Sequence, residues 1–527
     1  MANSELKVLN EEKETLLQYI LNNNFYGKRI YLIGSSEFGP TNEPILVKST
    51  QGLYNKFGKI GTLANAFHCI KYIDDSNQVF LVKTTGEHSI TYLNINIPKK
   101  DVIHEGLVIS ACESNEIYND VCVVVDTDKL SIKYPEELGV SDRSYYYEQY
   151  PTVERLITKI NEDARNKRGK VNAYSSVDPA TPTKTAFIGC NSEINYLYGG
   201  ECGLYYTKDM LYNYLDRTYE LLESEDIDII IPVDAFLDDV YPHDSYEEQY
   251  QYNLKYYHST KDYLTSDTFG NQYSYLNQLV NFCIRQLRFG VITHGVMGFN
   301  SIKNIRSNYL YESDDIAEMF KACLDYNLAL LDEPDYKFMV SVVAGDIGYN
   351  FGSIIDNGYL AFASFAASIQ KISGITNIPI PSISLYNEFS EPVLEDLCKH
   401  GINTFRQSPL YEKPVIYNAV TLHDDENLKL FVNTRMIQMA VAYLNKLFQL
   451  YIGYNMETLL DNGVIEQDIR KVMDTIQQLN VITSYYITIQ PIYRENHIKI
   501  ELVLTTNYMV KPVTIHAQVQ VQRMEEY

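Results

Sequence analysis

The spacing of apolar residues along the first hundred positions alternates between helix and strand periods. Residues 11–22 follow Asn10, a good N-cap, and carry apolar side chains at helical spacing, so they predict a helix. Lys28–Gly34 has the pattern of a strand, Thr62–Ile73 that of an amphipathic helix, and Val79–Lys83 that of a second strand. This order of elements is typical of an α/β layer.

Between residues 90 and 170 the pattern changes to short strands separated by polar turns. The predicted strands are Leu93–Ile97, Leu107–Ala111, Asp120–Val125 and Lys129–Tyr134. One helix is predicted after them, at Thr152–Asp163. We therefore expect a β-rich surface domain, a small sandwich, to be inserted over residues 90–199.

The alternation of helix and strand resumes after residue 200. The run Ile227–Pro232 is apolar except for Asp228, as in strands that are buried on both faces of a parallel sheet. Helices are predicted at Lys208–Leu222 and Tyr275–Phe289, with a strand at Val291–Gly298. Residues 26–89 and 200–378 are therefore predicted to form one central α/β domain.

The last part of the chain, residues 379–527, predicts a C-terminal α+β domain. Its longest periodic run is Asn427–Tyr451, and a more polar helix follows at Ile465–Leu479. Three alternating strands close the chain: Ile482–Gln490, His497–Thr505 and Val513–Val521. With an N-terminal arm and helix over residues 1–25, the predicted fold is multidomain. It combines α/β and α+β parts and ends in an extended strand arm.

Charge and composition narrow the range of partners. The 68 acidic and 44 basic residues give a net charge of −24, which repels polyanions, so no nucleic acid partner is expected. No apolar stretch approaches the roughly 20 residues of a membrane span, and the start MANSELKVLN does not resemble a leader. We expect no membrane insertion and folding in the cytoplasm.

Cysteine and tyrosine usage also bear on function. The eight cysteines are scattered without a CxxC pair, which indicates free thiols rather than a disulfide framework or a zinc site. The 46 tyrosines, with no tryptophan, suit extensive protein–protein surfaces, although AT-rich coding produces the same composition.

Several short motifs occur in the chain in a particular order. They are Tyr31–Pro40 (YLIGSSEFGP), Gln78–Lys83 (QVFLVK), Leu397–Phe405 (LCKHGINTF), Asn433–Arg435 (NTR) and Tyr486–Pro491 (YITIQP). Each is common alone, but in this order they resemble the contractile tail sheath family of phages, type VI secretion systems and pyocins. Lys83 stands where that family usually has arginine. The family's Pro-Gly-Val-Tyr-Val arm before the first strand is missing here, or reduced to Leu6–Leu9, which leaves an N-terminal strand exchange open.

The resemblance implies a mechanical protein rather than an enzyme, with no cofactor. Sheath subunits polymerise helically around a tail tube and contract to drive it through the target envelope. The implied partners are neighbouring sheath subunits, the tail tube protein, and the baseplate and tail terminator proteins, and the implied location is the tail of a virion. The sheath of a tailocin or a type VI-like secretion system is an alternative that the sequence leaves open.

The resemblance also directs attention to two surfaces. The last strand alternates apolar and polar residues and is the predicted inter-subunit arm, with apolar positions Val513, Ile515, Ala517, Val519 and Val521. A local terminal strand is the alternative. Helix Ile465–Leu479 is the predicted tube-facing element, with candidate residues Gln467, Arg470, Lys471 and Gln478, whereas the longer helix is expected to belong to the core.

Two rival functions remain open. An α/β enzyme with an acidic metal site is suggested by Asp234 after a predicted buried strand, followed by Asp238, Asp239, His243 and Asp244. Such a run in an acidic chain is more often a solvated surface, and His294 in an apolar strand fits a core histidine better than a base. A different structural protein, such as a tail terminator or capsid component, would share the composition but not the ordered motifs.

Overall fold

The chain divides into two compact units. One comprises residues 1–32, 66–80 and 215–527, and the other residues 33–65 and 81–214. The computed structural model describes residues 29–86, 90–93, 107–113, 115–175, 179–187, 193–200, 203–204, 206, 208–237, 274–288, 291–299, 313–349, 355–368, 375–380, 382–386, 388–451, 463–478, 482–492, 497–506 and 513–520. The predicted N-terminal arm and helix lie outside these residues, and the finer division into domains stays a prediction.

Three strands and two helices open the described chain. They are β1 (Arg29–Gly34), β2 (Ile45–Val47), α1 (Thr50–Phe57), α2 (Thr62–Ile73) and β3 (Gln78–Lys83). The helix α1 begins after Ser49, whose side chain accepts a hydrogen bond from the backbone N–H of Gly52. The strands β1 and β3 and the helix α2 lie where the sequence predicts them.

The segment with short predicted strands folds into two antiparallel sheets and a helix. Its elements are β4 (Ile90–Leu93), β5 (Leu107–Ala111), β6 (Cys122–Val125), β7 (Lys129–Lys133), β8 (Arg143–Tyr146), α3 (Val153–Arg165), β9 (Val171–Tyr174), α4 (Thr183–Ala186) and β10 (Glu193–Tyr196). The sheet orders are β10-β6-β7-β8 and β4-β5-β9. Val123, Ile132 and Leu156 are fully buried in the core that both sheets share with α3, so the segment is β-rich as predicted.

A side-chain amide of α3 covers part of the edge of β9. Asn161 Nδ2 donates to the carbonyl of Ala173 at 3.0 Å, and Asn161 Oδ1 accepts from the backbone N–H of Ala173 at 2.8 Å. An uncovered strand edge is a template for unwanted pairing. The amide therefore occupies the backbone groups of β9 that a further strand would otherwise use.

Helices and strands alternate through the middle of the chain. They are α5 (Lys208–Leu221), β11 (Ile229–Pro232), α6 (Tyr275–Arg288), β12 (His294–Gly298), α7 (Ser313–Ala329), β13 (Val340–Val343), β14 (Asp346–Tyr349), β15 (Ile355–Asn357), α8 (Tyr359–Ser368), β16 (Ile383–Leu385), α9 (Glu391–Lys399) and β17 (Ile402–Asn403). The strands β14, β15 and β16 form a small antiparallel sheet of their own, with β14 in the middle.

A seven-stranded sheet has the order β17-β13-β12-β11-β1-β3-β2. Its strands β11, β12, β13 and β17 run parallel to one another. All four residues of β11 are buried, as expected for a strand covered on both faces. A Cβ atom on Gly295 of β12 would lie only 2.8 Å from Leu279 of α6, so the glycine permits this close helix–sheet packing. The predicted central sheet is present.

The last part of the chain combines two long helices with a three-stranded sheet. Its elements are β18 (Phe405–Gln407), β19 (Pro414–Ile416), α10 (Glu426–Lys429), α11 (Phe431–Gln449), α12 (Val464–Gln478), β20 (Ile482–Ile492), β21 (His497–Thr506) and β22 (Val513–Gln520). Residues of α11, α12 and the sheet share one buried core that includes Tyr443, Met473 and Leu502. None of the helices in the described part of the chain is both long enough and apolar enough to cross a membrane.

The long helix predicted at Asn427–Tyr451 is divided into α10 and α11. Leu430 interrupts it with an extended backbone (φ −73°, ψ 116°). The interruption is held by an isolated bridge between Val420 and Leu430 and by a hydrogen bond from the Phe431 N–H to the Ala419 carbonyl at 3.1 Å. Most of α11 beyond this point is buried, as expected for a core helix.

Candidate assembly surfaces

The C-terminal sheet is an antiparallel meander with β21 in the middle. The pairing of β20 with β21 extends from Ile482 opposite Thr506 to Ile492 opposite His497. Alternate residues of β21 are buried in the core shared with α11 and α12. Within the part of the chain that the structure describes, neither β20 nor β22 has a second neighbouring strand in this sheet. The meander therefore presents two edges that a further strand can pair with.

Four of the predicted arm residues lie on β22 in register with residues of β21, of which Ile500, Leu502 and Leu504 are buried. The pairs are Val513 with Leu504, Ile515 with Leu502, Ala517 with Ile500, and Val519 with Ile498. The fifth predicted arm residue, Val521, lies outside the described residues. Within a single chain β22 has the position of a local terminal strand, the alternative that the sequence leaves open. Exchange of this strand between subunits stays a prediction.

The candidate tube-facing residues all lie on one exposed side of α12. These are Gln467, Arg470, Lys471 and Gln478, which the helical repeat of about 100° per residue places on one face. The opposite side buries Ile465, Ile469, Val472, Met473 and Ile476 against α11 and the meander. The apolar stripe of α12 therefore fixes which side chains face outward.

The charges on the outer side of α12 are partly neutralised within the helix. Arg470 Nη2 lies 2.6 Å from Glu466 Oε1, and this hydrogen bond raises the pKa of Arg470. Lys471 Nζ lies 3.7 Å from Asp468 Oδ1, and the Lys471 side chain is 61% exposed. Lys471 is therefore the more available of the two cations for an acidic partner.

Asp468 anchors α12 to the end of α11. Its Oδ2 accepts a hydrogen bond from the Tyr451 hydroxyl at 2.6 Å, and both residues are buried. Burial and then the hydrogen bond to Asp468 raise the pKa of Tyr451, so the phenol stays protonated and continues to donate. The contact holds the candidate tube-facing helix in a defined position on the core.

The acidic segment of the rival enzyme hypothesis is described only in part. Asp234 lies two residues after the end of β11 and is 9% exposed, whereas Asp238, Asp239, His243 and Asp244 lie outside the described residues. Among the residues that the structure does describe, no group of three or more histidine, cysteine or carboxylate side chains is arranged to hold a metal ion.

His294 is fully buried at the start of β12. Its Nε2 lies 2.9 Å from Ser341 Oγ, and this hydroxyl donates to the Val420 carbonyl at 2.9 Å. The serine proton is therefore used, so His294 Nε2 carries a proton and donates to Ser341. Burial, with a smaller effect of Arg435, lowers the pKa of His294 to about 3. The histidine is a neutral core residue, as the sequence predicts.

Two buried side-chain amides, which sequence reasoning missed, make further hydrogen bonds near the buried pair His294 and Ser341. Asn403 of β17 donates from Nδ2 to the carbonyls of Val342 and Val420 and accepts at Oδ1 from the Val420 N–H, at 2.7–2.9 Å. Gln438 of α11 donates to the Ile292 carbonyl at 2.9 Å. These bonds fasten the parallel sheet to the chain before α10 and to α11. Asn403 lies inside the LCKHGINTF motif, in which it follows the apolar Ile402 directly.

A second missed feature is the ion pair at the start of β1. Arg29 Nε lies 3.1 Å from Asp228 Oδ2, and Arg29 Nη1 lies 2.5 Å from Asp226 Oδ2. The Asp228 side chain is only 2% exposed. Burial by itself would lower the pKa of Arg29, but the hydrogen bonds and charges of Asp226 and Asp228 outweigh it and raise the pKa. The pair ties β1 to the residues that precede β11.

Comparison with solved structures identifies the fold. The chain is similar to a sheath tail protein from Listeria innocua, with a TM-score of 0.55 and 10% sequence identity over 97% of this chain and 99% of that one. A sheath tail protein from Desulfitobacterium hafniense gives a TM-score of 0.49 and 11% identity over 94% and 97% of the two chains. No protein family profile and no curated protein matches the sequence.

A partial similarity extends to a contractile injection system. The sheath of the extracellular PVC system in its contracted state gives a TM-score of 0.31 and 11% identity, over 44% of this chain and 62% of that chain. This value is too low to support an argument. The similarity to the Listeria protein confirms, at the level of the fold, the predicted resemblance to contractile tail sheath proteins and the predicted mixed, multidomain architecture.

Proposed function

We propose that this chain is the structural subunit of a contractile tail sheath. The observation that supports it best is the similarity to the Listeria innocua sheath tail protein, which covers 97% of this chain and 99% of that one. The similarity extends over nearly the whole of both chains rather than over one common module. In this role the protein polymerises helically around a tail tube, contracts to drive the tube through an envelope, and catalyses no reaction.

The C-terminal meander supports a mechanism for holding subunits together. β22 closes the chain, and a strand with the same sequence from a neighbouring subunit can occupy the same register on β21, since the pairing is made by backbone groups. Exchange of β22 would tether neighbouring subunits while their domains rotate. We propose Val513, Ile515, Ala517, Val519 and Val521 as the apolar positions of this exchanged arm.

The outer side of α12 is the proposed tube-facing surface. Gln467, Arg470, Lys471 and Gln478 are exposed there, and the helix is fixed to the core by its apolar stripe and by Asp468. The outer side of α12 therefore combines exposed side chains with a rigid backbone. A contact with the tail tube that must release during contraction requires both. A tail tube surface with carboxylates opposite Lys471 fits this arrangement.

The remaining partners follow from the proposed function. A sheath starts at a baseplate and ends at a terminator, so we propose both as partners, together with other copies of this chain. We place the protein in the tail of a phage virion, assembled in the host cytoplasm. The sheath of a tailocin or of a type VI-like secretion system is the alternative, and recovery of the protein from DNA-filled particles rather than empty tails would distinguish them.

Electron microscopy of the purified, concentrated full-length chain tests the proposal. Negative stain should show hollow cylinders with regular helical striation, because a contracted sheath polymer does not require a tube. Deletion of Val513–Tyr527 should give folded monomers that form no cylinders, and cylinders from this variant would contradict the arm assignment. Monodisperse monomers of the intact chain, even after addition of the cognate tube and baseplate, would overturn the sheath proposal and make metal binding near Asp234 the next test.

A further inference from the structure

One side of the β10-β6-β7-β8 sheet forms a surface that faces away from the core. The strand registers place nine side chains on it, here termed the lysine face: Cys122, Val124, Lys129, Ser131, Lys133, Ser144, Tyr146, Ile194 and Tyr196. The residues between them on the same strands, such as Val123, Ile132 and Tyr145, are buried in the core. Two of the nine, Cys122 and Ser131, are also buried at 8% exposure each, so the accessible part of the lysine face consists of the other seven residues.

The lysine face exposes more apolar surface than an isolated domain requires. Ile194 is 60% exposed, Tyr196 58% and Tyr146 43%, and Tyr198 just beyond β10 is 54% exposed. Soluble monomers seldom expose neighbouring large apolar side chains unless the patch binds something. Lys129 lies over the ring of Tyr146, with Nζ 5.7 Å from the ring centroid. The exposed apolar residues lie on the two edge strands, β10 and β8, and both lysines lie on the inner strand β7. The face therefore combines apolar surface with positive charge, a combination that suits a protein docking surface with acidic residues opposite.

The charge of the lysine face is opposite to that of the chain. None of its nine positions carries a carboxylate, although the chain has 68 acidic residues, and Asp126 and Asp128 lie in the turn that bounds it. The same β-rich segment carries an acidic turn between β7 and β8, where Glu136 and Glu137 are exposed. The third carboxylate of this turn, Asp142, accepts a hydrogen bond from the backbone N–H of Tyr134 and stabilises the turn.

We propose that the lysine face of one subunit docks on the Glu136–Glu137 turn of a second copy of this chain. The face and the turn adjoin at one end of β7 but are different surfaces, so a contact between the face of one subunit and the turn of the next can repeat along an open array. The face is small compared with a standard interface of about 800 Å² per partner, so one contact is weak and acts through its repetition. The inference rests on the proposed sheath function, which brings many copies side by side.

Mutations that exchange the charges of the lysine face and of the Glu136–Glu137 turn test the contact. The substitutions Lys129→Glu and Lys133→Glu together, or Glu136→Lys and Glu137→Lys together, should each raise the concentration needed for polymerisation about tenfold. Combining all four should restore the wild-type value, because opposite charges again face each other. General repulsion predicts a different result: the first pair would hinder polymerisation of this acidic chain, whereas the second pair would promote it.

Further variants separate docking from misfolding. Ile194→Asp should also weaken polymerisation, whereas Tyr174→Asp should not, because Tyr174 is equally exposed (56%) but lies on the other sheet. All variants should keep the wild-type melting temperature. Polymerisation of the Glu136→Lys, Glu137→Lys variant at or below the wild-type concentration would overturn the inference while leaving the sheath function intact.

A cross-linking experiment tests the contact between the two surfaces even if the proposed sheath function is wrong. Chains carrying Lys133→Cys together with Cys122→Ser, which removes the thiol directly opposite residue 133 on β6, and chains carrying Glu137→Cys are mixed at high concentration under mild oxidation. A disulfide between the two introduced cysteines, identified by mass spectrometry, supports docking even if no cylinder forms. Absence of this disulfide, with cylinders or without them, contradicts the contact.

Discussion

At the scale of single residues, the ion pair of Arg29 with Asp228 is a contact whose loss should destabilise the fold. The Asp228 carboxylate is almost completely buried, and Arg29 is its charged partner. Arg29→Met should lower the free energy of unfolding by about 2–4 kcal/mol, because it leaves a buried charge uncompensated. Urea unfolding followed by circular dichroism measures the change.

Two controls show whether the loss of stability in Arg29→Met comes from the unpaired carboxylate of Asp228. The double variant Arg29→Met, Asp228→Asn should be less destabilised than Arg29→Met alone, since no buried charge remains. Arg155 is exposed on α3, and Arg155→Met should change the free energy of unfolding by less than about 0.5 kcal/mol. Equal losses for the single and the double variant would show that packing, rather than charge, explains the effect.

His294 makes stability depend on pH in a defined window. Its folded pKa of about 3 lies below the ordinary value near 6.5, so between these values the unfolded chain binds a proton that the folded chain does not. The stabilisation is complete above about pH 6.5 and is lost as the pH falls towards 3. Between pH 7 and pH 5 this group alone should lower the free energy of unfolding by about 2 kcal/mol.

The variant His294→Gln isolates this contribution. Its amide can donate to Ser341 as His294 Nε2 does, but it does not titrate. The free energy of unfolding should therefore fall less steeply between pH 7 and pH 5 in the variant than in the wild type. Parallel curves for the two proteins would exclude His294 as the source.

At the scale of elements, the two sides of α12 should respond differently to substitution. Ile469 is fully buried, so Ile469→Ala should lower the free energy of unfolding by about 2–4 kcal/mol. Lys471 is exposed, so Lys471→Glu should lower the free energy of unfolding by only about 1 kcal/mol, because it places a carboxylate beside Asp468, and should weaken co-sedimentation with the tail tube. Unchanged tube binding by Lys471→Glu would remove α12 from the proposed tube contact.

Elements with a clear hydrophobic period could be predicted from the sequence, and others could not. The buried strand β11 follows from a continuous apolar run, and the exposed side of α12 follows from a period of 3.6 residues; both are local properties. The break at Leu430 could not be found in this way, because bonds from Ala419 and Val420 hold it. The same applies to Asn403, whose partners Val342 and Val420 come from other parts of the chain.

At the scale of the whole molecule, net charge should control polymerisation. A charge of −24 and a pI near 4.8 make free subunits repel one another at neutral pH. Raising the salt concentration from about 0.02 M to about 0.2 M shortens the screening length and should lower the concentration needed for polymerisation. Light scattering against salt concentration measures this, and a rise in that concentration with added salt would show that specific ion pairs dominate over repulsion.

The direction of the strands in the C-terminal meander has a mechanical consequence. β20, β21 and β22 pair along most of their length, and the hydrogen bonds between them lie across the strands. A pulling force along the strand axis loads all of these bonds together, in shear, whereas a force across the strands breaks them one pair at a time, like a zipper. A subunit held through this sheet would therefore withstand a sudden pull along the strands yet could be peeled from its neighbour by a small force applied across them.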